Sequence, residues 1–417
     1  MKKIIWICLL GLLMAGCAAA PVSFTATSPL PSASPSQTVL ALPSATLVLP
    51  GITPVLPTGA PSPTLTLAPT LIPSPSLTLP PAEPILRGPY LQDGAPGSIW
   101  VVWDTAKLST GWVSYGLPDG PQQVVVESTP TLHHQLQLTG LADYSAYTYR
   151  AAGDSALASF RSPAGPSQTS FHFAVLGDTR ANPQVHAAIS QAIAATHPDL
   201  VLHTGDLVDD GSIPGLWDSF FQIEAPMLRL APLYPTLGNH ENNSPLYFQS
   251  FHLPGSGSYY AFDYANARFI VLKADSYDPS PFAPGGEQRA WLEQELAGAQ
   301  GRWIFVSFHV PLHTSFAEDP SEVNLRNLLA PLFEQYHVAI VFSGHIHSYE
   351  RVLAGGVTYV VTGGGGAPLY SLDVKEPGQQ AAALVYHYLR LDVNGNTLTA
   401  RATDVNGKQI DSFELQR

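Results

Sequence analysis

The sequence predicts an α/β layered domain placed behind a small all-β sandwich, and three observations carry that prediction. Short alternating runs rich in Val, Trp and Tyr fill residues 85–165. From residue 170 onward, apolar runs ending in Gly-Asp or Gly-Asn-His alternate with stretches of helical spacing. Asn-Gly pairs then punctuate the C-terminal stretch from about residue 382. Period-2 runs between turn residues indicate antiparallel strands, whereas strand and helix in alternation indicate a layered sheet with helices on its faces.

The chain begins with "MKKIIWICLLGLLMAGCAAA", in which two lysines precede an apolar stretch and then small residues, the layout of a secretory signal. The apolar stretch is short for a permanent membrane span. "LMAGC" resembles the bacterial lipoprotein cleavage box, with Met14 where Leu is more usual, so residues 1–17 are expected to be a signal and Cys17 the lipidated residue. The alternative is ordinary cleavage near Ala20. The expected location is extracytoplasmic, at a membrane or cell surface through this anchor, or secreted if the box is not used. The chain has two cysteines, Cys8 and Cys17, so the exported body would hold no disulfide, thiolate ligand or thiol nucleophile.

Residues 18–84 are dominated by Pro, Ser, Thr, Ala and Leu, with Glu83 as their one charged residue. Such a composition cannot close a core and favours extended chain, so it reads as a disordered stalk reaching on the order of 200 Å at ~3.1 Å per residue. Residues 85–165 carry "SIWVVWDT", "GWVSYG", "QQVVVES", "HHQLQLTGL", "AYTYRAAG" and "ASFRSP", the runs of a sandwich of roughly seven strands. His133 and His134 read there as polar residues near a strand start. After "SPAGPSQTS", the runs "FHFAVLGDTR" and "DLVLHTGDLVDD" flank the helical "NPQVHAAISQAIAATHP" and open the α/β region, 170–417. The tail reads as three strands joined at "NGN" and "NGK".

Composition narrows the function. A net charge of −13 without a Lys/Arg stripe argues against a nucleic-acid partner, and an anionic substrate would need local positive charge, which a bound metal can provide. Five successive strand ends carry Asp178, Asp206, Asn239 with His240, His309, and His345 with His347. Loops at strand C-terminal ends are where α/β folds collect functional residues. If "VAIVFSGHIH" stays extended, His345 and His347 share one face, while Ser343 and Gly344 permit the backbone to turn or to approach something closely. Nitrogen and oxygen donors without thiolate suit Zn, Mn or Fe, and a carboxylate between two ions is the natural centre of a two-metal site.

The order of these motifs, GDTR, GD, GNHE, a lone His after a strand and GHxH, resembles the calcineurin-like metallophosphoesterase superfamily. "RGPYLQ" with the sandwich in front is similar to the purple acid phosphatase branch. The resemblance implies a four-layer α-β-β-α domain preceded by a fibronectin-III-like sandwich. It implies a phosphoesterase, acting on a small phosphate ester through a metal-activated hydroxide, with two metal ions. Asp178, Asp206 and His347 would hold the first ion; Asn239, His309 and His345 would join a bridging Asp206 around the second. His240 would stabilise the transition state and protonate the departing oxygen. Glu241 either orients His240 or caps the loop.

The chain departs from the purple branch at two positions. Asp209 stands where those enzymes place a tyrosine that gives the colour, so a colourless protein is expected, with Asp209 an oxygen ligand or an acceptor beside the ligands. Arg180 stands where many metallophosphoesterases have a metal-binding histidine; its fork suits phosphate oxygens, and a surface salt bridge is the alternative. His313 is either a substrate contact or a donor supporting the site. "TGGGGAP" lacks the Gly-Lys-Ser/Thr of a phosphate loop, so Gly363 to Gly366 are expected to form a tight turn beside the site. His172, His186, His197 and His203 read as structural or solvent-facing. A phosphodiesterase or nucleotidase on the same site, and a non-catalytic surface binding protein, are the rival readings. Neither composition nor motif fixes an oligomeric state.

Overall fold

The computed structural model describes residues 37–41, 78–316 and 320–417. The signal segment with Cys17 and most of the stalk therefore lie outside the described residues. One piece of the stalk region does not read as disordered. Gln37–Ala41 is a strand paired antiparallel with Gln123–Glu127, adding an edge to the sandwich. "QTVLA" is a proline-free interval of β-forming composition, which the averaged composition of the region conceals.

Between Ile85 and Arg161 lie the seven expected strands. Ile85–Ala95, Ser98–Ser109 and Thr131–Thr139 form a three-stranded sheet; Gln123–Glu127, Trp112–Gly116, Ala146–Ala151 and Ala158–Arg161 build the five-stranded sheet with the added edge strand. Alternation places Leu91, Ile99, Val101, Trp103, Leu136 and Leu138 of the first sheet in one core with Val113, Tyr115, Val125, Tyr147 and Tyr149 of the second.

The α/β region contains two sheets face to face. In one, Leu233–Pro235, Leu200–His203 and Ser170–Leu176 run parallel, and the tail strands His387–Asn394, Thr397–Asp404 and Gln409–Gln416 continue the sheet antiparallel. The two expected hairpins turn at Gly395 and Gly407, both with positive φ. In the other, Ala267–Val271, Trp303–Ser307, Ile340–Ser343 and Val357–Thr362 are parallel, with Tyr260–Tyr264, Tyr349–Ala354 and Gln379–Ala383 antiparallel towards the edges. Gln379–Ala383 is a strand that sequence did not signal, since "QQAAA" carries no apolar alternation.

The parallel strands are buried on both faces, which is why each reads as one continuous apolar run rather than an alternating one. Phe173 and Val175 point between the sheets with Phe269, Phe305 and Phe342, whereas Ala174 and Leu176 face the helices Pro183–Ala195 and Pro214–Leu228. On the far side, Ile304, Val306 and Val341 pack against helices Glu287–Gly298 and Pro320–Gln335. The result is helix, sheet, sheet, helix, with an inter-sheet core of edge-to-face aromatics such as Phe173 and Phe269, 5.3 Å apart. Each such ring contributes on the order of 1.5–3 kcal/mol by burial.

The "RGPYLQ" segment lies at the seam with the sandwich. Arg87 donates to Asp218 at 2.6 Å and Ser250 at 3.1 Å, Tyr90 to the Ser250 carbonyl at 2.7 Å, and Gln92 accepts from the His252 amide at 2.6 Å. The motif therefore holds the sandwich to the helix Pro214–Leu228 that follows the GD motif and to the end of the short helix Pro245–Ser250 that follows GNHE.

Candidate metal centre

The functional side chains sit where parallel strands stop, and the backbone there is unusual. Asp178, Asp206 and His345 all occupy the left-handed region, with φ of 57°, 54° and 65°. Non-glycine residues take up that conformation at a cost and usually at functional turns. The strand Ile340–Ser343 does not extend to the histidines. The chain turns at Gly344 instead, so His345 and His347 do not share a strand face. His345 goes to His309 and Asn239, and His347 to Asp178. Gly344 is required for close approach: a Cβ there would stand 2.2 Å from Asp178 Oδ2. The His345 amide takes the space, donating to Asp178 Oδ1 and Oδ2 at 3.1 and 3.0 Å.

All six expected ligands converge. Asp178, Asp206 and His347 are buried and offer ligand atoms within 4.8 Å of one another. On the other side, Asn239 Oδ1 lies 2.9 Å from His309 Nε2 and 3.0 Å from His345 Nδ1, and Asp206 Oδ1 lies 3.3 Å from His309 Nε2. Asp206 thus belongs to both groups.

Tautomers follow from the outer hydrogen bonds. His309 Nδ1 lies 2.8 Å from the Thr204 carbonyl and His347 Nδ1 lies 2.6 Å from that of Pro368. A carbonyl only accepts, so in both rings Nδ1 donates and the neutral ring turns a lone pair on Nε2 toward the cluster. Burial and the neighbouring His309 push the His345 pKa down to about 3, keeping that ring neutral. Burial alone would raise the Asp206 carboxyl, but His309, His240 and Arg180 hold it below the usual carboxylate range. Two carboxylates, three imidazole nitrogens and an amide oxygen therefore face one another with few donors among them. A proton on His309, whose pKa is raised by Asp206 and Asp178 in spite of burial, supplies only part of the missing positive charge. This donor set fits metal ions of the Zn, Mn or Fe kind.

His240 stands outside the cluster on its open side, with 29 % of its side chain exposed. Its amide donates to Asp206 Oδ1 at 3.0 Å and its Nδ1 to the Asp209 carbonyl at 2.6 Å, leaving Nε2 3.8 Å from Asp206 Oδ2. Glu241 caps the loop. Its buried carboxylate accepts from the amides of Gly238 (2.7 Å), Asp206 (2.9 Å), Leu207 (2.9 Å) and Val208 (3.3 Å). Burial and the Asp206 charge push its pKa up, to about 7, against the pull of those amides.

Arg180 lies across the cluster, with Nε 3.2 Å from Asp206 Oδ2, Nη1 3.2 Å from Asp209 Oδ1 and Nη2 3.5 Å from His347 Nε2. Asp209 is an acceptor for Arg180, half-exposed and outside the group formed by Asp178, Asp206 and His347. His313 bonds Glu376 at 2.7 Å and packs on Tyr359, 4.6 Å between ring centres. Its partners are therefore residues other than the six expected ligands.

The chain bends at Gly365 to Ala367, beside the site, without positive φ at any of Gly363 to Gly366. They allow one loop to lie on another. A Cβ on Gly365 would stand 2.3 Å from the Gly177 carbonyl and one on Gly366 2.6 Å from that of Thr179, while Gly365 N and Ala367 N donate to the Gly177 and Asp178 carbonyls, both at 2.8 Å. That loop also brings Tyr370 over His347, 4.1 Å between ring centres, and Tyr277 stands edge-on to His345 at 5.7 Å. Neither tyrosine was marked by any sequence motif. His203 likewise supports the site from beneath, bonding Thr179 Oγ1 at 3.1 Å. His186 is paired with Glu224 at 2.6 Å inside the helix layer, His172 lies 3.0 Å from the Thr196 carbonyl, and His197 is exposed.

The chain is similar to known phosphoesterases. Residues 171–349 match the family model described as Calcineurin-like phosphoesterase. The chain is 27 % identical over 288 residues to a probable purple acid phosphatase 20 of Arabidopsis thaliana, covering 61 % of this chain and 66 % of the relative. It is 30 % identical over 237 residues to purple acid phosphatase 22 of the same plant, covering 52 % and 53 %. The chain thus spans about half to two-thirds of the length of these relatives. Among solved structures, the purple acid phosphatase PPD1 of yellow lupin (Lupinus luteus) seeds superposes with a TM-score of 0.68 at 19 % identity over 81 % of this chain and 75 % of that one. PhoD superposes at 0.59 and 15 % identity over 82 % and 94 %. At these identities the superpositions speak for the α/β fold with mixed sheets.

Proposed function

We propose that this chain, which carries a calcineurin-like phosphoesterase domain and has purple acid phosphatase homologues, is a metal-dependent phosphatase that hydrolyses phosphomonoesters at a two-ion site. One observation carries the reading: Asp206 is shared between a buried group, Asp178 and His347, and a second group, Asn239, His309 and His345. Ions held by such donors lower the pKa of a coordinated water and neutralise charge on phosphoryl oxygens.

The remaining chemistry belongs to the chain. Thr204 and Pro368 carbonyls fix His309 and His347 in the tautomers that turn Nε2 inward. The Asp209 carbonyl likewise accepts from His240 Nδ1–H, which leaves Nε2 on the open face; in the imidazolium form of His240 that nitrogen carries the second proton and can pass it to the departing alkoxide, leaving the neutral ring. Tyr277 and Tyr370 wall the two histidines. The two-sheeted N-terminal region supports a fibronectin-III-like reading, and "MKKIIWICLLGLLMAGC" supports export and lipid attachment at Cys17. With Asp209 in place of a tyrosine, the protein is expected to be colourless.

The test is metal analysis of the purified protein beside a panel of p-nitrophenyl phosphate, bis(p-nitrophenyl) phosphate and nucleotides. Two ions per chain with fastest turnover of the monoester is the expected result. A fully loaded protein that hydrolyses none of them would overturn the reading, and preference for the diester would reassign it as a phosphodiesterase.

A further inference from the structure

We infer that Arg180 and Asp209 form a built anion receptor beside the metal centre, in which Arg180 grips a terminal phosphate oxygen and Asp209 is the positioning residue that holds its guanidinium. The pair would make the site select dianionic monoesters over diesters. This inference rests on the phosphatase reading and gives it a substrate charge state.

Arg180 belongs to the loop that carries Asp178, and that loop is held tightly. Asp178 and Ala181 on either side have φ of 57° and 73°, Asn182 N donates to the Arg180 carbonyl at 3.0 Å, and the glycine loop lies directly on Gly177 to Arg180. The side chain is 14 % exposed, so the guanidinium is largely removed from water. A guanidinium has five N–H donors in a fixed fork, and their directions here are set by Asp206 at Nε and Asp209 at Nη1. Of these two carboxylates, Asp206 is shared with the metal-ligand set, whereas Asp209 is outside it and half-exposed. Asp209 is therefore the partner whose whole charge remains available to align Arg180.

The electrostatic need is plain. The chain carries a net charge of −13, and two of its carboxylates line the centre, so an approaching dianion meets a negative surround. A dianionic monoester presents one more terminal oxygen and one more negative charge than a diester, and a planar fork suits that oxygen; in a diester the oxygen at that position is alkylated, uncharged and a poor acceptor. At the position where the purple enzymes use tyrosine, this chain thus places the carboxylate that orients an arginine.

The experiment compares the metal-reconstituted full chain with Arg180→Gln, Arg180→Lys and Asp209→Asn. Metal content, inorganic phosphate affinity by calorimetry, and kcat and KM for p-nitrophenyl phosphate and its bis-ester are measured. Arg180→Gln is expected to keep both ions, to weaken phosphate binding about 10–100-fold and to lower the monoester-to-diester ratio of kcat/KM about 10-fold or more, as loss of a charged hydrogen bond would. Arg180→Lys should recover part of the loss, and Asp209→Asn should show the same pattern at a smaller size. Unchanged phosphate affinity, or equal losses for both esters, would overturn the assignment of Arg180. Loss of an ion from Asp209→Asn would make Asp209 a ligand and overturn its positioning role. If the loaded wild type hydrolyses neither ester, the phosphatase reading falls by itself, and phosphate calorimetry still decides what Arg180 does.

Discussion

Two clusters of buried histidine and carboxylate, one in the sandwich and one at the strand ends, use similar residues to opposite effect. In the sandwich, His134 has no exposed surface, and each ring nitrogen has a protein partner: Nδ1 lies 2.7 Å from Glu127 and Nε2 3.0 Å from Thr105. Glu127 in turn accepts from the Gly111 amide at 2.8 Å, and Trp103 stacks on the ring. At the strand ends, Nδ1 of His309 and His347 is equally well anchored, but Nε2 of His309 faces Asn239, Asp206 and the His345 ring, and Nε2 of His347 faces Asp178 with only a long 3.5 Å approach from Arg180 Nη2. Burial of a histidine and a carboxylate together therefore distinguishes nothing. Whether the inner lone pairs are already spoken for separates a structural pair from a place built for an incoming cation.

The contrast breaks most sharply at Asp206. Asp206→Asn is expected to abolish binding of both ions and to lower turnover by ~10³-fold or more, since one carboxylate serves both groups. The metal-free variant should be somewhat less stable than the metal-free parent near neutral pH, because His309, His240 and Arg180 favour the ionised Asp206 in the folded state, while Asn still accepts from the His240 amide. Metal analysis and thermal unfolding in chelator check the two halves; a variant that keeps both ions refutes the shared-ligand geometry.

Glu127→Ala should invert the metal and turnover outcomes and place its whole effect on stability. It leaves the His134 Nδ1–H and the Gly111 amide without their buried acceptor, which costs on the order of 3 kcal/mol of stability. Metal content and turnover per folded molecule should not change. Denaturant unfolding and specific activity decide it, and a loss of ions would mean the sandwich is coupled to the centre.

His240→Ala tests the boundary of the metal cluster. The side chain bonds a carbonyl rather than facing the inner donors, so both ions should remain while kcat falls by roughly 10²-fold. The largest loss is expected for substrates with poor leaving groups, and a loss independent of leaving-group pKa would remove the proton-donor role.

The same contrast explains what could be read from sequence. The strand ends announce themselves because doubly buried parallel strands write continuous apolar runs, and a residue such as Asp178 or Asn239 right after one is out of place unless it does something. The hairpins at Gly395 and Gly407 were legible from local turn chemistry. The direction of each side chain was not. His345 and His347 sit two apart, and only the left-handed turn after Ser343, imposed by contact with Asp178, sends them to different groups. Glu241, His313 and Arg180 had two readings each because their distant partners, the Asp206 to Val208 amides, Glu376 and Asp209, come from loop packing that no short window contains. Tyr277 and Tyr370 gave no signal, since a tyrosine in a loop is ordinary until a ring stands against it.

Asp93 lies between the two extremes and sharpens the comparison by a smaller amount. It sits at the seam with the sandwich, 72 % removed from solvent, with His252 Nε2 at 4.0 Å, too far for a hydrogen bond. Burial raises its pKa from 3.8 to about 6. The unfolded chain releases this proton near pH 4 and the folded chain near pH 6, so in that window the folded state holds more protons and stability falls as pH rises. Above about pH 6 the loss is complete and constant. Asp93→Asn removes the ionisation, and Asn tolerates the φ of 38° at this position. The variant should match the parent near pH 4 and exceed it by about 1–2 kcal/mol at pH 7–8, after allowance for partial exposure. Unfolding curves taken across pH 4–8 on both proteins read the difference directly, and His252, whose own pKa is lowered by burial and by His133, cancels between them. A difference that does not vary with pH would show that Asp93 is already ionised in the folded state at pH 4, partnered after all like Glu127, and that the seam holds no buried acid.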